Sequence, residues 1–180
     1  MFPPIPTWDG LHPIVIHFPI ALLIVAPLFV MAAMFLGDRG KMLQAAALAL
    51  MVLGSIGLFV AVSTGEGAEE HVQRTTENRR VLHEHEELAE KSRMVFSILT
   101  GIYGLLVIVP MARKRPLSPK AALASHGAYA LVHAGSLLLI VNTAHLGGRL
   151  VHEFGIHARQ GGEAAPRAET ERGPVGGYEE

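Results

Sequence analysis

The chain has 180 residues, of which 50% are hydrophobic and 17% are charged, and its formal net charge is -1. Soluble domains carry about a quarter charged residues, so this composition favours a membrane protein, and the small net charge gives no reason to expect nucleic-acid binding. The sequence contains no cysteine, which excludes disulfides, thiolate metal sites, iron–sulfur clusters and covalently attached c-type haem.

Four long apolar stretches are predicted to be membrane-spanning helices: Pro13–Leu36, Met42–Thr64, Met94–Met111 and Ala121–Leu146. Each is near the ~20 residues that a helix needs, at ~1.5 Å per residue, to cross a hydrocarbon core ~30 Å thick. The residues before the first stretch lack the basic region of a cleavable signal peptide, so the first helix is expected to be retained. Gly54 and Gly57, and the pair Ser97 and Gly101, are small residues expected to let helices approach closely.

We therefore expect an all-α polytopic membrane protein, an antiparallel bundle of four transmembrane helices over residues 1–159, with a disordered polar tail over residues 160–180. The loops between the first and second helices and between the third and fourth carry six of the fifteen basic residues: Arg39, Lys41, Arg113, Lys114, Arg115 and Lys120. Because positive loops stay in the cytoplasm, both termini are predicted to be periplasmic, on a bacterial inner membrane.

The connection between the second and third helices, Gly65–Lys91, contains eight glutamates and four basic residues. Apolar residues recur at three- and four-residue spacing from Val81 onward, which predicts that the third helix begins before the membrane and projects ~15 Å beyond it. The second helix is expected to project likewise through Ala68–Arg74. The acidic surface around Glu84–Glu90 is expected to attract a basic partner domain.

The histidines are distributed unevenly in this topology. Chain reversal places eight of the ten near the periplasmic ends of the helices: His12, His17, His71, His83, His85, His145, His152 and His157. Imidazole is the commonest protein ligand for transition metals and also binds haem iron. The periplasmic face is therefore predicted to hold a haem or metal site.

His17, His85, His145 and His152 are the candidate haem ligands. His17 is the only ionisable side chain in the first apolar stretch, and such groups usually face a partner or a cofactor. The alternative for His17 is a hydrogen bond to a backbone carbonyl freed by Pro19 or to the fourth helix. His145 and His152 share a helical face if the helix continues past the glycines between them. We expect His17 and His145 as one axial pair and His85 and His152 as a second.

The other histidines admit a divalent-metal interpretation or a structural one. His12, His71 and His83, with nearby glutamates, offer nitrogen and carboxylate ligands that suit Cu²⁺ or Zn²⁺. In the structural interpretation His83 is solvent-exposed, His71 belongs to a solvated acidic surface, and His12 lies at the interface or supports another ligand.

His126 and His133 lie deeper in the fourth helix, where no other helix offers a histidine at the same depth. This argues against a two-haem path across the bilayer. His133 is instead expected to hydrogen-bond Tyr103, Ser97 or a backbone carbonyl across the bundle.

The string LHPIVIHFPIAL at Leu11–Leu22 resembles the opening of a bacterial membrane family catalogued as domain of unknown function twenty-two thirty-one. Thr64-Gly65 and the string TAHLGGRLVH at Thr143–His152 are similar to its other hallmarks, so the resemblance covers Leu11 to about Ile156. The resemblance implies a cytochrome-like four-helix protein with electron transfer at the outer, periplasmic surface of its membrane. Glu153 stands where relatives with the H-x-G-G-x-L-x-H-G type of ending have a glycine after the last histidine, which makes His152 a less secure ligand than His17 or His145.

Together these features predict an integral membrane subunit that binds haem b and passes single electrons between a membrane donor, such as quinol, and a periplasmic cytochrome c-type domain or respiratory complex. No nucleophile motif surrounds the serines, so a non-enzymatic subunit is favoured over a catalytic one. Two alternatives stay open. One is a divalent-metal protein; the other is a structural subunit whose histidines only join helices.

Overall fold

The computed structural model describes residues 6–70 and 72–156 of the chain, and these residues form five α-helices and two short 3₁₀ turns. The helices are α1 (His12–Val15), α2 (His17–Phe35), α3 (Gly40–Glu69), α4 (Arg79–Ala112) and α5 (Pro119–His152). Helices α1 and α2 form one span broken at Ile16. The four spans that result are long and apolar enough to cross a membrane. The expected tail and His157 lie outside the described residues.

The helix ends agree with the sequence in two places and differ in a third. Helix α5 continues through Gly147 and Gly148, and α4 begins at Arg79, before the apolar stretch of its sequence. Helix α3, however, stops at Glu69, so the second helix extends beyond its apolar stretch, which ends at Thr64, but not as far as the predicted Arg74. Three glutamates at 66, 69 and 70 face the negative end of the helix dipole, which disfavours further helical turns.

The turn that leads into α4 is held by reciprocal hydrogen bonds. The backbone N–H of Thr75 donates to Asn78 Oδ1 over 2.9 Å, and the N–H of Asn78 donates to Thr75 Oγ1 over 3.2 Å. Asn78 is buried and also donates from Nδ2 to the carbonyl of Gln73. These bonds satisfy backbone groups before the helix and fix where α4 starts.

The spans pack as a ring in which α2 and α4 each contact both α3 and α5. The main core lies inside this ring and includes Leu23, Met51, Phe96, Tyr103 and Tyr129. A second cluster near the acidic connection joins α4 to α5 through the residues Val81, Leu82, Leu146 and Leu150.

Glycines on α3 bring it close to the first span. A Cβ at Gly54 would lie 2.8 Å from Leu23 Cγ, and one at Gly57 would lie 3.1 Å from Pro19 Cβ. The predicted close approach at these two positions is confirmed, whereas a Cβ at Gly101 would meet nothing within 4 Å. Close contact of small residues is the usual way for helices to pack when no water drives their association.

Large apolar side chains cover the outside of the bundle. Exposed examples occur on every span, including Phe18, Leu28, Ile56, Leu105 and Leu131. A surface of this kind is typical of helices that face lipid rather than water. The spans therefore imply contact with a lipid bilayer.

Candidate functional site

The first part of the candidate site is His12, at the start of α1, against the last turns of α3. Its Nδ1 lies 2.9 Å from the carbonyl oxygen of Ala61 and 3.2 Å from Thr64 Oγ1. The ring also packs on Gly65, where a Cβ would lie 3.0 Å from His12 Cε1 and 3.3 Å from Nδ1. The bare glycine is what allows the imidazole to lie directly on the backbone of α3.

The second part is His85, near the start of α4, against the last turns of α5. Its Nδ1 lies 2.9 Å from the carbonyl oxygen of Thr143. The ring packs on Gly147, where a Cβ would lie 3.1 Å from His85 Cε1 and 3.5 Å from Nδ1. Since Thr143 and Gly147 are four residues apart, they lie on the same face of α5.

These two arrangements, which we call half-sites, are nearly identical. In each, an imidazole donates to a carbonyl and packs on the glycine four residues later in the same helix, and corresponding distances agree within 0.2 Å. A carbonyl oxygen can only accept, so Nδ1 carries the proton in both rings and Nε2 keeps its lone pair in the neutral form. Neither Nε2 has a protein hydrogen-bond partner within residues 6–70 and 72–156.

The two imidazoles also belong to one region of the bundle. His12 and His85 lie close enough to interact electrostatically, although they are more than seventy residues apart in the sequence. Helices α1 and α4 supply the imidazoles, and α3 and α5 supply the carbonyls and glycines. An N–H···O=C bond at Nδ1 is also the bond by which ligating histidines are commonly oriented toward a metal.

The other three predicted haem ligands have exposed side chains. His17 bonds through Nδ1 to the carbonyl oxygen of Pro13, 2.6 Å away in its own span, which is a different carbonyl from the one expected. His145 and His152 are exposed near the end of α5. Helix geometry explains the exposure of His145 and His152. Gly147 is the position that contacts α4. His145, two residues before it, points ~160° away from that contact, and His152, five residues after it, points ~140° away. The ligand roles of these three stay predictions.

Among the described residues, the side chains proposed for a divalent ion do not form a cluster. His83 is exposed, as predicted for the structural interpretation, and His71 lies outside the described residues. In the part of the chain that the structure describes, no group of three or more His, Asp or Glu side chains could hold a metal ion.

Several glutamates of this end are engaged by basic side chains. Glu87 pairs with Lys91 at 2.6 Å, and Glu84 lies 3.7 Å from Arg80. Hydrogen bonds from Arg149 hold the pKa of the Glu153 carboxyl below its usual range. The acidic surface is therefore partly neutralised by its own neighbours, which lowers the field available to attract a basic partner.

His133 makes the hydrogen bond to a backbone carbonyl across the bundle that was one of the predicted possibilities. Its Nε2 lies 2.9 Å from the carbonyl oxygen of Leu23, and its Nδ1 lies 3.2 Å from the hydroxyl of Tyr129. Leu23 precedes Pro27 by four residues, and a proline has no N–H to donate to that carbonyl. The imidazole therefore supplies the hydrogen bond that Pro27 cannot make.

We expect His133→Leu to lower the stability of the bundle by about 1–3 kcal/mol, the cost of leaving a buried polar group unpaired. In a Pro27→Ala background the new backbone N–H of residue 27 can donate to the Leu23 carbonyl. His133→Leu should therefore lower the stability of the bundle by less in that background. SDS-induced unfolding of the two single variants and the double variant measures the coupling. Additive effects would contradict this explanation of His133.

Sequence patterns identify His12 and His85 but not what holds them. They do not indicate Ala61 and Thr143 as hydrogen-bond acceptors, because any residue type supplies a backbone carbonyl. Gly65 and Gly147 appear as parts of the family-like strings, and Gly147 also as a possible break in the last helix, but neither is indicated as a contact of a histidine. The spacing of four residues from carbonyl to glycine is visible in the sequence, yet nothing in the sequence marks it as a contact.

The sequence of this chain matches the model of one protein family. A family model described as a predicted membrane protein, DUF2231, matches residues 9–160. No curated protein and no solved structure matches the chain. The matched residues include all four spans and both half-sites. The chain belongs to the DUF2231 family of predicted membrane proteins.

Proposed function

We propose that this protein is a multi-pass subunit of a bacterial inner membrane that binds haem b between His12 and His85 and transfers single electrons at the periplasmic side. The observation that supports this proposal is the pair of half-sites. Two imidazoles from different spans are anchored in the same way, are held in the same tautomer, and keep their Nε2 lone pairs available. This pair replaces His17 and His145 as the axial pair that we favour.

The donor set fits haem better than a bare metal ion. A structural or catalytic zinc ion usually takes three or four protein ligands, and no such cluster exists among the described residues. Haem needs at most two axial ligands from the protein because the porphyrin supplies four nitrogens, and imidazole is a common axial ligand. Two oriented imidazoles therefore match the number of ligands that a b-type haem takes from the protein, and no cysteine is needed. When bound, haem supplies reversible one-electron chemistry.

The contribution of the chain to such a site is to fix the orientation and the tautomer of the two imidazoles. The carbonyls of Ala61 and Thr143 keep the proton on Nδ1, and a hydrogen bond of this kind also raises the basicity of the opposite nitrogen. Gly65 and Gly147 let each ring lie against its neighbouring helix. The second core cluster, Val81, Leu82, Leu146 and Leu150, is buried at the same end of α4 and α5 as His85.

We place the half-sites at the periplasmic ends of an antiparallel bundle. The contacts of α3 with the first span pair Gly65 with His12 and Gly54 with Leu23, an order that supports opposed chain directions. The basic loops near Arg39 and Arg113 lie at the other end and favour the cytoplasm. Helices α3 and α4 have 30 and 34 residues, more than a hydrocarbon core requires, so they would project outward.

Cysteine labelling tests this orientation cleanly because the natural chain has no cysteine. Glu77 and Lys114 are both exposed, the first between α3 and α4 and the second between α4 and α5. We expect a membrane-impermeant maleimide to label Glu77→Cys in intact spheroplasts but Lys114→Cys only after lysis. The reverse pattern would show that the orientation is wrong.

The partners of such a centre follow from its position. The donor would be a reduced lipid-soluble carrier of the quinol class, and the acceptor a basic cytochrome c-type domain or respiratory complex at the periplasmic surface. Because several glutamates there are already paired with Arg or Lys, the association should depend only moderately on salt.

The decisive experiment is a reduced-minus-oxidised absorption spectrum of the protein purified in detergent from cells supplied with haem. We expect a Soret shift and a sharp α-band typical of two histidine ligands, with close to one haem per chain by pyridine haemochrome assay. Metal analysis of the same sample should find iron in that ratio. A preparation without porphyrin would overturn the proposal, and bound zinc or copper in its place would favour the divalent-metal alternative.

A further inference from the structure

A second set of polar groups lies deep in the bundle, away from the half-sites. Tyr103 on α4 is fully buried and His126 on α5 is 3% exposed. Their rings meet edge to face, with centroids 5.9 Å apart and planes at 83°. Within the described residues, neither the Tyr103 hydroxyl nor His126 Nε2 has a hydrogen-bond partner. Buried polar atoms in apolar surroundings are almost always paired, so two such atoms on touching rings require an explanation.

The two unpaired groups have opposite requirements. His126 Nδ1 lies 3.0 Å from the carbonyl oxygen of Ala122, and because a carbonyl only accepts, Nδ1 carries the proton of the neutral ring. Its Nε2 is therefore an acceptor without a donor. The Tyr103 hydroxyl is a donor without an acceptor. Charging the imidazole instead would place an unpaired ion in the core, which is far more costly.

The neighbouring polar groups do not resolve the problem. Tyr129 stacks on Tyr103 with ring centroids 4.7 Å apart, but its hydroxyl is directed to His133 Nδ1 and Met51 Sδ. Ser125 bonds to the carbonyl of Ala122 and to the already protonated Nδ1 of His126. Tyr103 Oη and His126 Nε2 do not hydrogen-bond to each other in this structure either, so what is missing is one group that accepts from Tyr103 and donates to His126.

We propose that a single internal water molecule binds between Tyr103 and His126 and joins α4 to α5 within the membrane. Its oxygen accepts from the Tyr103 hydroxyl, and one of its hydrogens donates to His126 Nε2. Water is the smallest molecule with both functions, and internal waters are found where buried polar groups would otherwise be unpaired. This site is independent of the proposed haem centre.

A crystal structure from lipidic cubic phase at about 2 Å resolution tests the proposal. We expect a density peak about 2.7–3.2 Å from both Tyr103 Oη and His126 Nε2. Three results overturn it: no density between the two atoms, density for a bridging group other than water, or a direct hydrogen bond between the two side chains. Each result is decided by the natural protein, without any variant.

Matched tyrosine variants then show whether the water depends on these partners. Tyr103→Phe removes the donor and should abolish the peak, whereas Tyr129→Phe removes a hydroxyl of the same cluster and should leave the peak in place. His126→Gln should weaken or displace it. A peak of equal occupancy in Tyr103→Phe would show that Tyr103 does not bind the water, and the proposal would fail.

Discussion

Replacing His12 or His85 by alanine is expected to lower the haem content of the purified protein by more than about tenfold. Each replacement removes one of the two nitrogens proposed as axial ligands. Loss even of a group that only orients a ligand commonly costs about 10–100-fold in affinity, so loss of the ligand itself should cost at least as much. Pyridine haemochrome assay of samples matched for protein concentration measures the effect. Both variants should retain helical circular dichroism, because each side chain lies at the edge of the core.

Matched controls come from the exposed histidines. His17→Ala and His145→Ala remove imidazoles at a similar depth, but these side chains lie on the surface of the bundle. They should keep haem at the level of the natural protein. If haem were lost in these two variants and retained in His12→Ala and His85→Ala, the axial pair predicted from the sequence would be right and the pair inferred from the structure would be wrong.

Gly65→Ala and Gly147→Ala should weaken haem binding without unfolding the protein. The added Cβ would lie 3.0 or 3.1 Å from the imidazole carbon Cε1, closer than normal contact, so each ring must move outward by a few tenths of an ångström. That movement stretches the Nδ1 hydrogen bond to Ala61 or Thr143. We expect a shifted α-band or a roughly tenfold loss of affinity, the lower end of the cost of disturbing such a bond.

Gly148→Ala is the control for the steric argument. Gly148 adjoins Gly147 in the same helix, but a Cβ there meets nothing within 4 Å. It should leave the haem spectrum unchanged and raise stability by up to about 1 kcal/mol, because alanine favours the helix. Indistinguishable spectra for Gly147→Ala and Gly148→Ala would show that contact with the glycine does not position His85.

Much of the fold could be predicted from local sequence. Apolar length indicated four spans, and the spacing of apolar residues from Val81 onward indicated that α4 starts early. His85 lies four residues after Val81 and three before Leu88, so this spacing places it on the apolar face of α4 and places His83 on another face. These predictions succeed because the periodicity of a helix and the thickness of a bilayer are fixed. The end of α3 at Glu69 was harder to predict, because it depends on the competition between a weak helical end and the turn around Asn78.

The sequence by itself determined the number of spans, the polarity of the loops and the restriction of any metal chemistry to nitrogen and oxygen ligands. Only the packing of the helices decided which imidazoles lie against a neighbouring helix. His12 and His17 are five residues apart, and at ~100° per residue they point in directions ~140° apart, so contact of the first span with α3 selects one and exposes the other. On α5, Gly147 contacts α4 and His145, two residues earlier, is exposed in the same way. The members of each pair lie at similar depth, which is why the face that packs had to be observed.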